Sequence, residues 1–242
     1  MGNLLTLGGT PFVAFGPSHI TVLVIYFTGI VLFTIAFRKI MDNTYLYNTI
    51  RWILFILLLI SEVSYQTWTA ITGIWSLSEH MPLHLCGIAG ITGMIALITY
   101  NKKLIQITFF IGLIPAFLAL VTPELPYDFP HYRFWKFFVH HLSISWVSIF
   151  LVATSSVKVT LKSMLETYGY LLLFAFIIGV FFNPIMESNY LYLSHTPTAS
   201  TPLDLLGNGF WYYFNLCLLA IVVFFIQLQV YKLFTRKKET PK

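Results

Sequence analysis

Residues 52–68 read WILFILLLISEVSYQTW. The first nine, Trp52 to Ile60, carry no charge, and the polar groups begin at Ser61 and Glu62. Crossing about 30 Å of hydrocarbon takes roughly 20 mainly apolar residues in a helix that rises about 1.5 Å per residue. The stretch lacks the alternation of a barrel strand, so it reads as a membrane helix. Glu62 is the exception inside it. An ionised carboxylate in hydrocarbon costs at least a few kcal/mol, so Glu62 is expected to face a bundle interior, paired or protonated. Tyr65, Gln66 and Thr69 follow at i+3, i+4 and i+7 and extend a polar stripe along one face.

Six further stretches read the same way, giving expected spans at about 19–37, 52–68, 83–100, 104–121, 137–155, 165–182 and 210–231. The whole chain of 242 residues is 57% hydrophobic and only 10% charged, where soluble domains carry about 25% charged residues. That excludes a soluble enzyme, a disordered chain and a coiled coil. With 23 Phe, 14 Tyr and two Cys it is no disulfide scaffold either. The fold class expected is an all-α integral membrane protein, one membrane-embedded domain over 1–242 built as a seven-transmembrane-helix bundle.

The cations orient it. Arg38, Lys39 and Arg51 lie between the first two spans, Lys102 and Lys103 between the third and fourth, Lys158 and Lys162 between the fifth and sixth. Five more fall from Lys232 onward, and only Arg133 and Lys136 lie on the opposite side. The positive-inside rule then places the N-terminus outside and the C-terminus in the cytoplasm. The net charge of +5 is therefore a topology signal, and nucleic acid is not an expected partner. The first span lacks the basic leader of a cleavable signal and is expected to persist as a helix.

In this topology all seven histidines, His19, His80, His84, His131, His140, His141 and His195, fall on the outer side. Glu79, Glu124, Asp128, Glu187 and Asp204 join them, and His141, Ser145 and Ser148 share one face of the fifth span. A polar pocket inside the outer half of the bundle is expected, the plain alternative being interhelical polar contacts.

The third span opens MPLHLCG at 81–87. Pro82 suits a first helical turn, whose free N–H groups and positive end would favour a thiolate at Cys86. His84 and Cys86 lie two apart and would not touch if both were helical, which makes His131 or His141 the candidate base. The plain alternative for Cys86, and the reading for Cys217, is a small buried apolar group. The loop TPELPYDFPHYRFWK at 122–136 carries Arg133, whose planar fork suits a headgroup phosphate or, equally, an ion pair with Glu79, Glu124 or Asp128. No HExxH, CxxC, GxSxG, P-loop or dinucleotide fingerprint occurs, so no cofactor or metal is assigned.

These pieces together resemble the bacterial YwaF-like integral membrane proteins, related to vertebrate ether-phospholipid acyltransferases. The resemblance rests on His19, Ser61-Glu62, PLHLC at 82–86, TPEL at 122–125 and FPHYRFWKFFVHH at 129–141. SNY at 188–190 and TASTPLDLLG at 198–207 with Trp211 complete it, and a WPWY-like end appears as Gly209-Phe210-Trp211-Tyr212, without its proline. The longest piece singles out His141 over His140.

What the resemblance implies is acyl transfer between membrane lipids with Cys86 as nucleophile, in a bacterial plasma membrane. His141, His131, His84 and Glu62 are then the candidate catalytic partners. Arg133, His19, Asn189, Tyr190 and Asp204 are the candidate contacts to a phospholipid or lysophospholipid. From the residues alone, a transporter or receptor for a polar ligand, or a metal-dependent lipid hydrolase, remains the alternative.

Overall fold

A computed structural model describes residues 4–197 and 202–239, so the Thr198-Ala199-Ser200 piece of the late motif lies outside the described residues. The chain is all-α, with seven membrane-type helices among the described residues: α1 (Pro17–Asp42), α2 (Thr44–Ile71), α3 (Leu85–Thr99), α4 (Lys102–Val121), α5 (Tyr132–Thr154), α6 (Leu161–Met186) and α7 (Phe210–Glu239). Six are long and apolar enough to cross a membrane, and the chain is an integral membrane protein.

The exception is α3, with 15 residues. The sequence places its start at Leu83 and Pro82 in its first turn. In the structure His84 is the N-cap, with extended backbone (φ −69°, ψ 157°), and the helix begins at Leu85. Pro82 belongs to the preceding turn, whose carbonyl packs so tightly on α3 that a Cβ at Gly87 would stand 2.5 Å from it. At the other end, Arg51 donates to the carbonyls of Leu97 (2.6 Å) and Ile98 (3.2 Å) and caps the helix.

Successive helices run up and down, which gathers His19, His80, His84, His131, His140, His141 and His195 at one end and most lysines at the other. α5 is the central helix and the most buried. Two of its serines bond to neighbouring helices. Ser145 meets the Tyr26 hydroxyl of α1 (2.9 Å), and Ser148 donates to Thr108 O of α4 (3.0 Å). Small residues of α3 let α5 approach closely: a Cβ at Gly90 would stand 3.0 Å from the His140 ring, and one at Gly93 would stand 3.2 Å from Val147. On the far side of α4, Phe110 packs on Phe224 of α7 at 5.2 Å between ring centres, and Gln227 reaches Phe109 O. Aromatic and aliphatic side chains thus fill the lysine-rich half, where Phe110, Phe150, Leu97, Ile105 and Leu228 are buried.

Before α1, the segment from Leu4 to Phe12 lies as a strap across the histidine-rich end. Its carbonyls accept from Tyr132 N (2.8 Å, at Leu4), the Trp68 indole (3.0 Å, at Leu5), the Tyr127 hydroxyl (2.7 Å, at Leu7) and Asp128 N (2.8 Å, at Thr10).

Candidate functional site: a polar cavity at the start of α3

Between α2, the connection into α3, the end of α4 and the start of α5 lies a cavity of about 120 Å³. Glu62 and Tyr65 reach it from α2, His80 and His84 from the connection, Cys86 and Gly87 from the first turn of α3, and Arg133 and Lys136 from α5; Glu79 and Glu124 complete its charges.

Each group is held by its local structure. Gln66, one turn beyond Glu62, donates from its amide nitrogen to the Glu62 carboxylate and to His80 O, both at 2.8 Å. Its amide oxygen accepts from the Trp75 indole at 2.8 Å. One glutamine therefore ties the carboxylate in the α2 helix to the connection that carries the histidines. His80 accepts from Ser76 N at its Nδ1 (3.2 Å), and burial pushes its imidazole below the ordinary histidine range.

His84 lies between two tyrosine rings, Tyr190 at 5.1 Å and Tyr192 at 5.2 Å between centres. Tyr190 is locked in turn, accepting from Met81 N (2.9 Å) and donating to Leu77 O (2.8 Å). The Tyr192 hydroxyl donates to Glu124, and burial followed by that carboxylate drives its ionisation up, so it stays a phenol.

Cys86 is the second residue of α3. The backbone N–H groups of Cys86 and Gly87 come ahead of the first intrahelical bond, Ile88 N to His84 O at 3.2 Å. These are the unsatisfied donors of a helix start. Because His84 is extended and not helical, it lines the same cavity as Cys86, which helical geometry for both residues would not allow.

Of the residues singled out from sequence, Cys86, His84, Glu62 and Arg133 thus share one cavity. His131 does not join them. It caps α5, accepting from Arg133 N at Nδ1 (3.0 Å), while its Nε2 donates to Thr6 O of the strap (2.8 Å), so both ring nitrogens are engaged with backbone. His19 is fully buried and clamps α1 to α4, accepting from Phe15 N (2.9 Å) and donating to Leu120 O (2.7 Å). His141 donates to Phe137 O (2.7 Å) and stacks beneath that ring, one turn below the cavity wall. It is His140 that touches the α3 start, through Cys86 O at 3.3 Å.

Asn189 organises its own turn, accepting from Ser194 N (2.9 Å) and His195 N (3.1 Å). Asp204 is exposed in the turn Pro202–Leu206 and does not line the cavity. Arg133 forms no ion pair with Glu79, Glu124 or Asp128 among the described residues; its guanidinium stands 5.8 Å from the Tyr65 ring centre. Asp128 instead accepts from Ser18 at 2.5 Å.

The sequence places Tyr65 on the polar stripe of Glu62 and Lys136 on the cation-poor side, but it marks neither of them, nor Tyr192, as a site residue. Lys136 had a signal: with Arg133 it is one of two cations on the side that the charge bias leaves almost bare, three residues apart on one helix face. Among the described residues, no three His, Cys, Asp or Glu side chains come together as a metal site.

No significant match is found among curated proteins or among solved structures. The model of the TMEM164 family matches residues 14–228, which takes in α1 to α6, most of α7 and all the cavity residues, and the chain belongs to the TMEM164 family of membrane proteins.

Proposed function

We propose that the protein is a membrane-embedded acyltransferase that moves a fatty acyl group from a phospholipid to a lysophospholipid through a thioester on Cys86. The observation that carries this reading is the meeting of a thiol at a helix start with His84 and Glu62 in one cavity. The resemblance of its motifs to ether-phospholipid acyltransferases supplies the reaction class. The charge bias of the loops supports a histidine-rich end facing outward and a cytoplasmic C-terminus.

The chemistry follows from the positions. His84 takes the proton of the Cys86 thiol as sulfur attacks the ester carbonyl. The carbon–sulfur bond forms, the bond to the glycerol oxygen breaks, and His84 returns the proton to that oxygen. A lysolipid hydroxyl then repeats the sequence in reverse on the thioester. Glu62, fixed by Gln66, supplies negative charge in the cavity where the imidazolium forms in each half. Ligand pockets for whole small molecules run to about 300–1,000 Å³. A cavity of about 120 Å³ takes the reacting ester and its immediate headgroup side, while the acyl chains lie along the apolar helix faces.

The test is transfer of labelled acyl chains from a diacyl phospholipid to a lysophospholipid by the purified protein, read by mass spectrometry of lipids and intact protein. Wild type is expected to give labelled diacyl product and an acyl adduct, and Cys86→Ser neither. Transfer that survives Cys86→Ser would move the nucleophile elsewhere. No turnover with any donor would leave the cavity as a binding site for a polar ligand, in a receptor or transporter.

A further inference from the structure

We propose that Lys136 is the catalytic cation of this site: its ammonium holds the Cys86 thiolate and then faces the carbonyl oxygen as the thiolate attacks. The inference rests on the acyl-transfer reading for its second half and on geometry alone for its first.

Lys136 is a charge that the membrane disfavours, placed inside the bundle half where α5 meets α2 and α3. It lines the cavity with Cys86, and its Nζ stands 4.4 Å from the centre of the Tyr65 ring. The Arg133 guanidinium lies off the same ring, so Tyr65 gives both cations an aromatic face and fixes the direction of the shorter-reaching one. The backbone is pinned as well, with Lys136 O accepting from Ser61 of α2 at 3.5 Å.

No carboxylate forms an ion pair with Lys136 among the described residues. Glu62, the acid nearest in sequence logic, is engaged by Gln66. Lys136 and Cys86 line the same small cavity, from the start of α5 and the first turn of α3. A cation with an aromatic ring behind it, no ion pair to a carboxylate and a thiol in the same cavity is arranged for an anion at sulfur. Thiolates are stabilised by a neighbouring cation and by a helix start, and the cavity brings both to Cys86.

In the reaction the thiol proton passes to His84, and Lys136 keeps all its protons throughout. As the carbon–sulfur bond forms, the carbonyl electron pair moves onto oxygen, where the same ammonium and the first-turn N–H groups of α3 meet it. When the glycerol oxygen leaves with the proton from His84, the charge at oxygen disappears.

The test needs no lipid substrate. The full-length protein in detergent is treated with iodoacetamide at neutral pH, and the modification rates of Cys86 and Cys217 are read separately by peptide mass spectrometry. Lys136→Met is expected to slow Cys86 by about tenfold, the consequence of about one unit in the thiol's ionisation, while Lys136→Arg stays within about threefold of wild type. Cys217, in α7, reports folding and is expected to keep its rate in all three proteins.

An unchanged Cys86 rate in Lys136→Met overturns the proposal. So does an equal loss in Lys136→Arg and Lys136→Met, because then the shape of lysine and not its charge is what counts. Acyl transfer is measured on the same preparations. A charge effect on alkylation without any transfer would reject the acyltransferase reading alone, and transfer with no charge effect would reject only this inference.

Discussion

Gly87 shows how little room surrounds the thiol. A methyl group there would stand 2.5 Å from Pro82 O and 2.8 Å from its Cα, and backbone cannot give way as a side-chain tip can. Gly87→Ala is therefore expected to destabilise the protein by about 1–3 kcal/mol, the usual cost of overpacking. Gly169→Ala on α6, where nothing lies within 4 Å, is expected to be neutral or slightly stabilising. Thermal unfolding of the two variants in one detergent compares them, and equal midpoints would show that the Pro82 turn yields. At this scale Glu62, Cys86, His84 and Arg133 were legible from chemistry, since each is a residue type that hydrocarbon penalises or a motif member. The choice between His140 and His141 was not. Neighbouring helical residues point about 100° apart, and which one meets α3 depends on how α5 is rotated, a property of packing that the small residues Gly90 and Gly93 decide. Tyr192 was illegible for another reason: it sits in irregular chain after α6 and reaches His84 only because Tyr190 is locked to Leu77 and Met81.

Among the elements, the seven apolar runs could be read from length alone, but their ends could not. α1 and α2 reach Asp42 and Ile71, well past their apolar cores, because caps and local bonds and not hydrophobicity stop a helix. The strap was invisible in sequence. Five of its contacts use its backbone carbonyls as acceptors, and a carbonyl leaves no mark on residue identity. Its partner His131 is the hinge of a prediction, since it fastens the strap at Thr6 and caps the helix that carries Arg133 and Lys136. His131→Ala is expected to cost about 1–2 kcal/mol through the lost cap, and His131→Asn to recover part of it. Both keep the Cys86 machinery, so the expected pattern is a lowered unfolding temperature with transfer retained at temperatures where the protein is folded. Loss of transfer in a folded His131→Asn protein would instead give that histidine a chemical part.

For the whole molecule, the lysine-rich half is filled mainly by apolar and aromatic side chains and the histidine-rich half holds the cavity. The 15-residue helix then sets a depth. At about 1.5 Å per residue α3 covers about 22 Å, some 8 Å less than the hydrocarbon of an ordinary bilayer. Arg51 anchors its far end among Trp52 and Tyr100, side chains that settle at a water boundary. The shortfall is then expected at the other end, which would put Cys86 beneath the level at which a lipid's ester linkages normally ride. A bilayer meets such a mismatch by dimpling toward the short element. Vesicles of short-chain lipid bring the ester down at no cost, and those of long-chain lipid must be bent to do so. Transfer is expected to run several-fold faster in the thin vesicles than in the thick ones at equal headgroup composition, and equal rates would mean that the ester is lifted out by the protein. On the acyltransferase reading, the missing turns of one helix would make membrane thickness itself a control on the reaction.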